Sequence, residues 1–170
     1  MNPDSELLHL MDLMPASGRM LCKVASKPEQ PAVIEAALPK PWAQSRPIFI
    51  NFDLWGTLSR SQRDVLLLRT VSWLNGVQWL KVDVYQGAAL AGVLGTVVEL
   101  SQADLVGALV AGGLTALAGL QIVRSQRSSR RELEADEAAI RIAQRRGYTE
   151  VVAARALLEA IEAVADLEKR

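Results

Sequence analysis

Ser59–Gly76, SRSQRDVLLLRTVSWLNG, is the stretch from which the fold can be worked outward. Ser59 or Ser61 is a good helix N-cap, because a short hydroxyl side chain can accept from the otherwise unpaired amides of a first turn. Val65, Leu66, Leu68, Val71, Trp73 and Leu74 then carry an apolar face, and Asn75-Gly76 is a plausible stop. Upstream, Pro47-Ile48-Phe49-Ile50-Asn51 is a short run rich in β-branched and aromatic residues, closed by Asp53 and Gly56. It predicts one short strand near 47–51 whose partner the sequence does not reveal.

Further upstream, residues 1–46 mix small apolar clusters with Pro15, Pro28, Pro31, Pro39 and Pro41. Proline at that density works against long helices and pushes preceding residues toward extended geometry. An extended, proline-rich segment is therefore expected there. Downstream, charge almost vanishes from Val84 to Val123, although 22% of the chain is charged. The block divides at Ser101-Gln102-Ala103-Asp104 into segments about 25 and 28 Å long as helices, close to the roughly 30 Å of a hydrocarbon core.

Lys81 precedes the block and Arg124, Arg127, Arg130 and Arg131 follow it, which by the positive-inside bias would place both termini in the cytoplasm. Trp79 and Tyr85 stand where an interfacial aromatic belt would fall, beside Lys81, Arg124 and Arg127 as membrane-interface residues. The expected fold class is thus mainly α, a helical domain with a two-helix transmembrane hairpin inserted at 82–123 and one short strand. The expected divisions are 1–46, 47–81, 82–123 and 124–170, with 47–170 forming a single unit. A hairpin buried in a soluble helical protein is the alternative.

The tail predicts a helix over Arg131–Arg146, a break at Gly147, and a second helix from the N-cap Thr149. Leu157, Leu158, Ile161, Val164 and Leu167 are expected to line its buried face. Balanced charge, 19 basic against 19 acidic residues, gives no nucleic-acid footprint. The single cysteine, Cys22, excludes an intramolecular disulfide and reads as structural. Phosphate-loop, nucleophile-elbow and Cys-x-x-Cys patterns are missing, and His9 is the only histidine.

Two regions together carry a family resemblance: Leu58–Leu68, and Glu132-Leu133-Glu134-Ala135-Asp136 followed by Gly147-Tyr148-Thr149. Their order around an apolar hairpin resembles the HtpX-like integral-membrane zinc metallopeptidases, with a His-Glu-x-x-His helix and a later Glu-x-x-x-Asp helix. That resemblance implies that Arg69 and Trp73 stand at the two histidine positions and Thr70 at the glutamate position. Glu132 would match the third ligand and Asp136 its companion. An arginine repels a cation, an indole has no lone pair to give, and a threonine hydroxyl is a very poor base. No metal, cofactor or catalytic residue is expected, and Arg69 is the obvious cation to pair with Glu132 or Asp136.

As a whole chain, with Lys40-Pro41-Trp42, Asn51–Trp55 and Arg69–Leu74, the sequence also resembles an uncharacterised family of small cyanobacterial membrane proteins. This implies a thylakoid or cytoplasmic membrane. The function expected is a non-catalytic, pseudopeptidase-like scaffold, docking or assembly factor whose partner is another membrane protein, with its oligomeric state open. The alternatives are a membrane-associated hydrolase with an atypical site, using a folded-back His9, and the helical protein with a buried hairpin.

Overall fold

A computed structural model of the chain describes residues 2–40, 43–77 and 129–169, with the isolated positions 93 and 116. The chain divides into two compact units, Met1–Val77 with Arg130–Arg170, and Gln78–Ser129. The first holds the elements α1 (Pro3–Leu13), α2 (Ala16–Leu21), β1 (Cys22–Ser26), β2 (Ile34–Ala36), β3 (Arg46–Ile50), α3 (Phe52–Trp55), α4 (Arg60–Gly76), α5 (Ser129–Arg145) and α6 (Glu150–Glu168).

α4 is the centre of this unit. Ser59 caps it as expected, and Gln62 reaches back to the Ser59 amide, so two orphan donors of the first turn are satisfied reciprocally. Val65, Leu67, Leu68, Val71 and Leu74 are fully buried. At the other end Arg46 donates to the carbonyls of Leu74 and Val77. A cation set on the last carbonyls of a helix satisfies acceptors and complements the negative end of its dipole.

The strand expected near 47–51 is β3, the middle of a three-stranded mixed sheet ordered β1-β3-β2. β1 runs parallel to it, Cys22 opposite Arg46 through Ser26 opposite Ile50, and β2 runs antiparallel, Ile34 opposite Ile50. Both partners come from the stretch expected to be extended and proline-rich, where the sequence predicts no strand. Asn51 closes β3 and starts α3: its side-chain oxygen accepts from the Asp53 and Leu54 amides, and its nitrogen donates to the Pro28 and Gln30 carbonyls. A buried amide with every group engaged holds the β1–β2 connection against β3.

The beginning of the chain is folded more regularly than its prolines predict. Pro3 lies in the first turn of α1 behind the cap Asn2, and Pro15 is the N-cap of α2. A proline at a helix start loses no hydrogen bond, so these residues set helix boundaries instead of preventing helices. α2 lies close against α4, because a Cβ added to Gly18 would meet Val71 Cγ1 at 2.7 Å. Glu6 of α1 accepts from both the Trp55 indole and Arg63, fixing α1 to α3 and α4.

The α5–α6 hairpin forms where expected, turning at Gly147 with φ +97° and capped by Thr149. A left-handed residue after a helix is the role glycine fills without a Cβ penalty. The buried stripe differs from the expectation. Ala153, Ala156, Leu157 and Ala160 of α6 are buried, with Ala135, Ala139 and Ala143 of α5, whereas Leu158 and Ile161 are exposed. α6 packs on α4, and Leu157, Val164 and Leu167 meet the core beside these alanines.

No helix among the described residues is long and apolar enough to cross a membrane. The described residues are mainly helical as expected, but this overturns the transmembrane hairpin, and with it the integral-membrane placement with both termini cytoplasmic. The three long described helices are all interrupted by charge. α4 carries Arg60, Arg63, Asp64 and Arg69, and the 19-residue α6 carries an ionisable residue at almost every turn. The 82–123 stretch, apart from positions 93 and 116, and the interface residues Trp79, Lys81, Tyr85, Arg124 and Arg127 lie outside the described residues.

Candidate functional site

Leu66, Arg69, Thr70 and Trp73 recur at helical spacing and so share one face of α4. Glu132 and Asp136, four apart, share one face of α5. The structure brings the two faces together: Arg69 Nη2 donates to Glu132 Oε2 and Nε donates to Asp136 Oδ1, both at 2.5 Å. One guanidinium thus spans two carboxylates on the neighbouring helix, and the pair expected from the sequence contains both candidate acids. The Arg69 and Asp136 side chains are each 25% exposed and Glu132 is 45% exposed, so the clamp sits at the edge of the core.

Thr70 turns its hydroxyl back onto the Leu66 carbonyl at 2.9 Å, a common way for a threonine to satisfy itself within a helix. Trp73 packs half-buried against the core, and its indole N–H is buried with no hydrogen-bond partner among the described residues. Arg69, Thr70, Trp73 and Glu132 line one recess of about 430 Å³, with Ile34, Leu66, Ile161 and Val164 supplying apolar walls. Asp136 meets Arg69 from outside it. Four of the five positions singled out by the metallopeptidase resemblance therefore converge on one cavity.

These residues do not fit a zinc ion. A tight site needs three or four neutral or anionic donors, and here the place between the two helices is filled by a fixed cation already neutralised by both acids. Among the described residues no group of three or more His, Cys, Asp and Glu side chains could hold a metal. What the arrangement does chemically is electrostatic: a guanidinium crosslinks α4 and α5 and leaves an apolar hollow beside it. A pair of this kind gives geometry and register more than net stability, since desolvation offsets much of the attraction.

A second polar cluster was not legible in the sequence. Asp64, 2% exposed in the middle of the α4 core, lies 2.8 Å from His9 Nε2 and accepts from the Tyr148 hydroxyl at 2.7 Å. His9, within α1, thus meets Asp64 and not Glu132. Burial, followed by the hydrogen bond and charge of Asp64, pushes the Tyr148 phenol up to about 12. Asp64 was hidden as one carboxylate next to an apolar run, and its partners are 55 and 84 residues away. Cys22 is buried at the start of β1, and burial pushes its thiol up to about 11 against the opposing charge of Arg46. It carries none of the electropositive exposure that makes a cysteine reactive.

Comparison with known proteins yields one relationship. Residues 8–148 match a family described as a protein of unknown function, DUF3318, and the matched span begins beside His9 and closes on Tyr148. No curated protein and no solved structure matches the chain.

Proposed function

The chain belongs to the DUF3318 family of proteins of unknown function, and we propose that it is a non-catalytic docking domain whose binding surface is the recess beside Arg69. The observation that carries this reading is the bridging of Glu132 and Asp136 by Arg69. On this proposal the HtpX-like order of elements, and the kinship with small cyanobacterial proteins, reflect a peptidase-type scaffold that exchanged its metal for a guanidinium. The exchange keeps two helices in register while removing the Lewis acid and the general base on which hydrolysis depends.

The recess has the size of a small ligand or side-chain pocket, walled by Ile34, Leu66, Trp73, Ile161 and Val164 and polar at one end. An apolar anchor of a protein partner, one or two side chains deep, suits it. The reading requires no membrane anchor. A hydrolase with an atypical site is less well supported, because His9 is engaged by Asp64 and shares no cavity with Glu132.

Two measurements test the proposal. The purified chain should take up no stoichiometric zinc and cleave no model peptide; stoichiometric uptake with metal-dependent cleavage would end it. A partner captured by the wild-type chain should be lost with Ile161→Arg at the wall of the recess, and kept with Glu162→Arg on the outer face of the same helix. Equal capture by both variants would show that the recess is not the docking surface.

A further inference from the structure

A second recess of about 430 Å³ is lined by His9, Asp12, Arg60, Asp64, Arg146 and Tyr148. Three separate parts of the chain meet there: α1, the first turn of α4, and the turn between α5 and α6. Two guanidiniums converge on it, and among the described residues neither makes an ion pair with a carboxylate. Arg146 is steadied by one donation, to the Met14 carbonyl at 3.0 Å. Arg60 Nη2 faces His9 Nδ1 at 3.4 Å, a long and weak contact. By contrast Arg63, Arg69, Arg130 and Arg141 all have carboxylate partners.

Two acids also line the recess. Asp64 is spent: it is buried, with one oxygen held by His9 and the other by Tyr148. Each of its oxygens is turned toward one of those two donors, so the cations that remain open to the cavity are Arg60 and Arg146. Asp12 is exposed at the mouth and pairs with neither arginine. Arg60 moreover occupies the first position of the 17-residue α4, where the partial positive charge of the helix adds to its own.

We propose that this recess is a binding site for a compact oxyanion, a phosphate or carboxylate group of a small molecule, held between Arg60 and Arg146. Planar guanidiniums form paired, charge-assisted hydrogen bonds to such groups, which makes arginine the residue suited to them. Asp64, held by His9 and Tyr148, does not touch the ligand. Asp12 at the mouth disfavours a second anionic group, so the remainder of the ligand is neutral or cationic. The site does not depend on the docking reading, since it shares no residue with the Arg69 recess.

The test is a calorimetric titration of the full chain with inorganic phosphate and, in a second arm, with acetate, at fixed ionic strength made up with chloride. Saturable binding is expected with at least one of the two, and the stronger arm identifies the oxyanion. Arg60→Gln and Arg146→Gln should each weaken it about tenfold, the loss of one charge-assisted contact. Arg145→Gln, a neighbouring exposed arginine outside the recess, should bind as wild type. Thermal unfolding in the absence of anion would confirm that the variants fold, and Arg60→Lys should recover part of the affinity. No saturable binding in either arm, or equal losses with Arg145→Gln, would overturn the proposal.

Discussion

Replacing Arg69 by Met removes the guanidinium while keeping most of the apolar stem, so it isolates the clamp from the packing beside it. The structure sets the size of the effect. The Arg69 and Asp136 side chains are three-quarters buried and meet at 2.5 Å, so that contact should contribute about 1.5–2 kcal/mol, in the range of hydrogen bonds to charged groups. Glu132 is nearly half exposed, and solvent screening reduces its share to about 0.5–1 kcal/mol. The total, about 2–3 kcal/mol, corresponds to a fall in Tm of roughly 5–10 °C for a chain of this size. Urea unfolding followed by tryptophan fluorescence measures it. A double-mutant cycle with Asp136→Asn should return a coupling of about 1–2 kcal/mol. A coupling below about 0.3 kcal/mol would refute the clamp, and wild-type stability that fell on adding a chelator would point to a metal in its place.

Three further outcomes are expected. Gly18→Ala should destabilise the protein by about 1–3 kcal/mol in the same urea assay, because the added methyl meets Val71 Cγ1 at 2.7 Å and both helices must move. The stability contributed by the protonated Tyr148 phenol should be fully present below pH 10 and lost between pH 10 and about 12, since the unfolded chain releases that proton first. Tyr148→Phe should flatten that alkaline slope, and an unchanged slope would remove Tyr148 from the account. Cys22 should react with a thiol reagent far more slowly in the native protein than in urea, and equal rates would contradict its burial.

Much of the helical frame was legible because it is written in local chemistry. Ser59, Thr149 and Gly147 mark helix ends through groups that act within a few residues, and the structure uses all three in those roles. The run at 47–51 likewise identified its strand. β1 and β2 escaped because Cys22–Ser26 and Ile34–Ala36 are short and weakly patterned, and pairing with β3 is what makes them strands. On α6 Leu157, Val164 and Leu167 meet the core as expected, while Leu158 and Ile161 are displaced by Ala153, Ala156 and Ala160, because alanine decides how closely two helices approach. Charge-poor residues 82–123 invited a lipid reading that the described helices do not support.

The candidate site divides along the same line. Arg69, Glu132 and Asp136 could be joined in advance because a family pattern supplied the pairing that 63 and 67 residues of separation conceal. No pattern joined His9 to Asp64 or Asp64 to Tyr148. Each is an unremarked single residue until tertiary structure collects them, which is also why the Arg60–Arg146 recess emerges only from coordinates.

The polar ties of this unit join distant parts of the chain: Glu6 to Trp55, His9 to Asp64, Arg69 to Asp136, and the Val33 amide to Glu168 across 135 residues. Such wiring makes assembly slow, since each loop must close before its contact returns anything. It also makes failure collective. A protease cut in any one connection should release no stable fragment, and the halves should regain structure only when mixed.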